Sequence, residues 1–184
     1  MIGVVTALFS EATLIIDRLG LKRVKKSPFL IFQNNDTILI ISGVGYLNGC
    51  SATTYLLANY SISQLFNIGI AGTSTDLYSI SKLYIINKII DTITNRVIFI
   101  KDLNYPNLAH LKTSPIPITE VKNGDKYLFD MEGFAIYSCA KRFKIKPIFI
   151  KIVSDKLNPK IITKEYILNL FQLNIDKILT IIKG

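Results

Sequence analysis

The apolar residues of this chain come in runs of about five to eight that stop at Gly, Asn, Asp or Pro, and that run length is its strongest constraint on the fold. Runs of this size suit buried strands and the inward faces of short helices. They fall short of the roughly 18 residues a bilayer crossing needs, although hydrophobic residues make up 49% of the sequence. No membrane partner is therefore expected. Residues 1–8 lack the basic leader and small-residue cleavage site of a secretory signal and read as a buried first strand, which points to the cytoplasm. A length of 184 residues suits one well-buried core, and residues 1–184 are expected to form a single domain.

The runs can be placed in order. Residues 29–33 and 37–42 flank Asn34-Asn35-Asp36, which is hairpin chemistry. After Gly43-Val44-Gly45, residues 48–60 carry Cys50, Ala52, Leu56, Leu57 and Tyr60 at helical spacing, and residues 64–70 return as a buried strand. A strand, a helix and a parallel strand make a βαβ unit. More strands are expected over 82–90, 96–101 and 147–153, with helices over 134–143 and 164–183. Residues 102–125, with Pro106, Pro115, Pro117 and the single histidine His110, show no clear period and read as a long loop over one end of the sheet. The expected fold class is α/β: a three-layer sandwich with a mostly parallel, mixed central sheet.

Charge and thiols narrow the partners. The net charge of +9 is spread along the chain, apart from Lys22-Arg23-Val24-Lys25-Lys26, so no nucleic-acid partner is expected. Cys50 and Cys139 sit in helix-like segments with no close Cys or His in sequence, and neither a metal set nor a CxxC pair is available.

In open α/β sheets ligands collect beyond the carboxyl ends of the strands, where polar residues following apolar runs converge. Glu11 follows the first strand, Asp130 and Glu132 precede a helix, and Asp155 closes the strand Ile148-Phe149-Ile150-Lys151-Ile152-Val153. Any one of them alone suits a helix cap or a solvated surface equally well.

Taken together, the segments Gly3 to Glu11, Ser42-Gly43-Val44-Gly45, Asn67-Ile68-Gly69-Ile70-Ala71-Gly72, Asp130-Met131-Glu132-Gly133-Phe134-Ala135-Ile136 and Lys151-Ile152-Val153-Ser154-Asp155 resemble the nucleosidase branch of the nucleoside phosphorylase superfamily, in the same order. The resemblance implies a nucleoside phosphorylase-like fold. It also implies hydrolysis of the N-glycosidic bond of an adenosine-type nucleoside such as methylthioadenosine or S-adenosylhomocysteine. Such a cleavage builds positive charge on the sugar and negative charge on the base, so it needs a proton donor and an oriented nucleophile. By resemblance, Asp155 is the acid that protonates the purine and Glu11 the base that activates water. Glu132 would accept the ribose hydroxyls, Met131 would floor the sugar, Ser154 would support Asp155, and Lys151 would stand with them among the substrate-binding residues. Gly69 and Gly72 would let backbone approach the ligand. The chemistry calls for no metal and no organic cofactor.

Phosphorylases of the superfamily present arginine to phosphate just before the Gly-x-x-Gly segment, where this chain has Asn67. Water is therefore favoured as the nucleophile. The alternatives are a phosphorylase whose anion site uses Lys151, and a degenerate nucleoside-binding protein without catalysis. Three departures from the family's pattern stand out: Ile70 where Ser or Thr is usual, Lys151 where Arg is usual, and a shortened stretch before Asp130. Residues 113–118 are expected to contact the base through backbone groups and Ile118, and Phe9, Tyr46, Tyr105 and Tyr127 are the aromatic candidates for a lid. The superfamily also implies a homodimer.

Overall fold

The computed structural model describes residues 1–121 and 125–184. Its centre is β1 (Ile2–Thr6), whose apolar side chains are buried on both faces as a parallel inner strand requires. The chain then enters α1 (Phe9–Leu19), which ends on Gly20 in the left-handed region at φ 62°. Strands β2 (Lys22–Lys25), β3 (Leu30–Gln33) and β4 (Thr37–Ile41) follow as an antiparallel meander. Asn34 turns β3 into β4: its Oδ1 accepts the N–H groups of Asp36 at 2.9 Å and Thr37 at 2.8 Å.

Next come α2 (Tyr46–Asn59), β5 (Gln64–Thr73), β6 (Leu83–Asp91), β7 (Val97–Phe99), β8 (Leu108–Thr113), β9 (Leu128–Asp130), α3 (Gly133–Arg142), β10 (Pro147–Asp155) and α4 (Lys164–Lys183). Helix α4 starts on Thr163, whose hydroxyl accepts the Tyr166 N–H at 3.1 Å. Its stripe of Ile167, Leu170, Phe171, Ile175, Ile178 and Ile182 is buried, and each such side chain contributes about 1.5–3 kcal/mol before ordering costs.

Two apolar cores enclose the sheet, as the three-layer expectation required. One joins the sheet to α1 and α4 through Ala12, Ile15, Ile167 and Phe171. The other joins it to α2 and α3 through Ala52, Leu56, Phe134 and Ile136. The sheet is mixed, but "mostly parallel" needs correction: among the described residues the parallel and antiparallel pairings are equal in number. Three of the parallel ones form the run β4-β1-β5-β10, and the other two join β6 to β8 and β8 to β9. The sheet also closes on itself, since β10 pairs with both β5 and β6, and β6, β8 and β9 lead back to β5.

Strand β5 carries that closure. One edge pairs with β10 from Leu65 to Gly72. The other pairs with β1 over Gln64–Asn67 and with β9 at Gly72 and Thr73. Among the described residues, that second edge has no strand beside it between Asn67 and Gly72.

Two expectations change here. The long loop over 102–125 contains β8, with Ala109, Leu111 and Thr113 buried and alternating with Leu108, His110 and Lys112; positions 122–124 lie outside the described residues. Cys50 and Cys139, without a neighbour in sequence, meet where α2 packs on α3, and burial with the Cys50 thiol contact pushes the Cys139 thiol up to about 11. Among the described residues no helix is long and apolar enough to cross a membrane.

Candidate active site

The carboxyl ends of β1, β5 and β10 open on a cavity of about 330 Å³. Glu11, Gly72, Ile118, Met131, Glu132, Ser154 and Asp155, seven of the residues proposed from sequence for catalysis or binding, line it together with Ile70. A second concavity of about 330 Å³, beside Asn59, Tyr60 and Phe143, carries no carboxylate, lysine or histidine.

Glu11 is held by backbone alone. The first turn of α1 brings its carboxylate back over the β1–α1 junction, where Oε2 accepts the N–H groups of Ala7 and Leu8, each at 2.9 Å. Oε1 accepts the Ile70 N–H at 3.0 Å, in the unpaired gap on the β5 edge. Burial raises the Glu11 pKa, while these three donors and the charge of Lys151 oppose the rise. Gly69 makes this placement possible, because a Cβ there would stand 2.9 Å from Oε1. The space at Gly69 thus serves Glu11, whereas sequence reasoning gave it to the ligand.

Glu132 caps the start of α3 and is 7% exposed. The Gly45 N–H, at the start of α2, donates to its Oε1 at 2.6 Å. Gly49 of α2 lies against its stem, where a Cβ would meet the Glu132 Cβ at 3.1 Å. Burial, and then the negative charge of Asp130, push Glu132 up to about 7.

Asp155 ends β10 beyond a bulge and sits opposite Gly72 of β5. The Ser154 hydroxyl donates to its Oδ2 at 2.6 Å and the Asn158 N–H to its Oδ1 at 2.6 Å. Apolar walls complete the cavity: Pro117, Ile118, Phe129, Leu157, Pro159 and Ile162. Met131 lines the cavity as well.

Lys151, expected among the ligand-contacting residues, does not line the cavity. Its side chain is 2% exposed, and its Nζ stands 2.8 Å from Oδ2 of Asp130, whose side chain is 1% exposed. Asp130 also accepts the Thr113 hydroxyl at 2.7 Å and the Gly133 N–H at 2.9 Å. Burial pulls the Lys151 ammonium down, but Asp130, Glu132 and Glu11 together outweigh it and leave its pKa raised. Asn67 is likewise buried away from the cavity, donating to the Val5 carbonyl at 3.2 Å. None of Phe9, Tyr46, Tyr105, Tyr127 or His110 lines the cavity; His110 stands beside Tyr127 with ring centroids 6.0 Å apart.

The residues that sequence reasoning missed are those that hold the acids: Gly45, Gly49, and Asp130 as the partner of Lys151. Gly43-Val44-Gly45 preceding a helix was a signal for the first. Pairing between Asp130 and Lys151 has no local signal, since it depends on β9 and β10 being brought together.

No protein-family model matches the sequence, and no curated protein matches it. Solved structures do. A 5′-methylthioadenosine/S-adenosylhomocysteine nucleosidase from Helicobacter pylori, bound to butyl-thio-DADMe-Immucillin-A, aligns at TM-score 0.83 with 14% identity, over 99% of this chain and 97% of that chain. A Chlamydia trachomatis protein carrying an aspartate-to-asparagine change and bound to MTA aligns at TM-score 0.81 with 20% identity, over 98% and 96%. The 5′-methylthioadenosine nucleosidase of Arabidopsis thaliana in apo form gives TM-score 0.80 at 17% identity, over 100% and 96%. The chain has the nucleoside phosphorylase/nucleosidase-like fold, in the form these nucleosidases take.

Proposed function

We propose that this protein is a purine nucleosidase that hydrolyses the N-glycosidic bond of an adenosine-type nucleoside such as methylthioadenosine or S-adenosylhomocysteine. The observation that carries the reading is the convergence of Glu11, Glu132 and Asp155 on one largely apolar cavity whose lining, among the described residues, includes no lysine or arginine. A buried acid held by three backbone donors has a fixed direction, which a base that must aim at one water needs.

In the proposed reaction the bond from the sugar anomeric carbon to the purine breaks, and its electron pair leaves with the base. Asp155 donates a proton to the purine ring nitrogen, which makes the base a neutral leaving group. Glu11 takes a proton from water as the water oxygen bonds to the anomeric carbon. Ionised Glu11 also stabilises the cationic sugar. Glu132 accepts the ribose hydroxyls in charge-assisted bonds, and Met131 packs under the ring. Solvent returns the proton from Glu11 to Asp155.

Phosphorolysis fits less well. Lys151 is engaged by Asp130 behind the wall, and a phosphate entering the cavity would face carboxylates. Pairing of two copies belongs to the same proposal, supported by the exposed apolar side chains of Phe9, Val44 and Leu47, of which Val44 lines the cavity. A cytoplasmic site of action belongs to the same proposal.

The deciding experiment measures release of free base from a panel of purine nucleosides, including methylthioadenosine, with and without phosphate. Release independent of phosphate is the expected result. Strict phosphate dependence would make the protein a phosphorylase. Binding without release would make it a non-catalytic nucleoside-binding protein.

A further inference from the structure

One wall of the cavity holds more buried charge than the proposed chemistry uses. Asp130, Glu132 and Glu11 gather around a single ammonium, that of Lys151, and all four residues are between 1% and 7% exposed. Lys151 reaches its place because it pairs in register with Gly69 of β5, the residue whose missing side chain also admits Glu11. Three carboxylates and one lysine cannot all be ionised at low cost in so dry a place, so the cluster must hold protons.

We propose that Lys151, paired with Asp130 behind the cavity wall, is a positioning residue whose charge sets how many protons the Glu11–Asp130–Glu132 cluster holds, so that a ligand presenting a vicinal diol expels one proton as it binds. The balance is simple. Protonated Glu132 already receives the Gly45 N–H, and to accept two ligand hydroxyls it must give its own proton to solvent. The groups that face it are Asp130 from β9, Glu11 from α1, Lys151 from β10 and the N–H of Gly45 at the start of α2. Asp130 favours the protonated form and Lys151 the ionised form, with opposite signs on one residue. The choice of a nucleoside as the diol rests on the function proposed above; the role of Lys151 does not.

The test is a carbon-detected NMR titration of protein labelled at the glutamate side-chain carboxyls. The chain has only Glu11, Glu120, Glu132 and Glu165 to assign, and loss of one signal in Glu132→Gln identifies the resonance. The wild-type midpoint for Glu132 is expected near 7. It should fall by about one pH unit in Asp130→Asn and rise by about as much in Lys151→Met, with Lys151→Arg returning it toward wild type. Shifts in the same direction in both variants, or none, would overturn the proposal, because loosening of the wall moves both midpoints toward the solvent value. If Lys151→Met does not fold, the double variant with Asp130→Asn replaces it and should titrate near wild type.

Calorimetry then reads the proton directly, using an adenine-type C-nucleoside whose carbon–carbon glycosidic bond cannot be hydrolysed. In buffers of different ionisation enthalpy near pH 6, wild type should release close to one proton on binding, and a dideoxy counterpart none. Equal proton release by both ligands would overturn the diol coupling. Failure of the C-nucleoside to bind would count against the nucleosidase reading, while the titration still decides the role of Lys151.

Discussion

Gly69 and Glu11 occupy one space: a Cβ on Gly69 would stand 2.9 Å from the Glu11 Oε1, which already accepts the Ile70 N–H at 3.0 Å. The carboxylate is the far end of a side chain and can move, but only by giving up backbone donors. Gly69→Ala should therefore lower turnover at least tenfold while costing about 1 kcal/mol of stability, the worth of one lost hydrogen bond. Steady-state kinetics beside a urea melt would check this, and a variant as active as wild type would remove Glu11 from the mechanism.

Asp155→Asn keeps the shape and the Asn158 N–H contact but removes the proton donor. Turnover should fall by about 10²- to 10⁴-fold with an unchanged circular dichroism spectrum and nucleoside binding retained. Retained activity would reassign the acid.

Gly72 stands opposite Asp155, and a Cβ there would meet the Asp155 Oδ1 and the Leu157 Cδ2, both at 3.3 Å. Those neighbours need give only a few tenths of an ångström. Gly72→Ala should raise KM several-fold and leave the melting temperature nearly unchanged, a milder outcome than at Gly69. If stability fell and KM did not, the residue would belong to the sheet rather than to the cavity.

Glu132 links stability and binding to pH with opposite signs. Its carboxyl rises on folding from 4.5 to about 7, so the native state binds the proton more tightly than the unfolded chain does. The fold gains from that proton at low pH and loses the gain as pH rises through this window, by about 3 kcal/mol in total. Glu132→Gln should thus become more stable relative to wild type as pH rises from 5 to 8, as measured by chemical denaturation. Affinity for a ribonucleoside should move the other way in wild type, improving as Glu132 ionises. A stability difference that does not vary with pH would mean that Glu132 carries an ordinary carboxyl group.

The elements legible in the sequence are those whose burial is periodic. The closing helix over 164–183 was readable because its apolar stripe is regular. Helix α1 was not, since two of its four buried residues are Ser10 and Glu11, placed inward to serve the cavity. Strand β2 was hidden for the opposite reason: Lys22, Arg23, Val24 and Lys25 are all exposed on a sheet edge, with no alternation to see. Strand β8 does alternate, but the prolines on either side of it suggested an unbroken loop. Within the site, the acids could be found because each follows a strand or precedes a helix. Lys151 was misplaced because strand position alone does not say whether a side chain meets the ligand or, as here, a buried carboxylate.

The unpaired stretch on the edge of β5 has an evolutionary corollary. Elsewhere in the sheet interior a backbone N–H is committed to a neighbouring strand, but at Ile70 it is free to grip a side chain. Glu11 therefore fills the place of a missing strand residue. Loops around the mouth of such a cavity can drift and change what is bound. This carboxylate is gripped by backbone N–H groups of the β1–α1 junction and of β5, so a lineage could exchange substrates many times while keeping the same acid in the same seam.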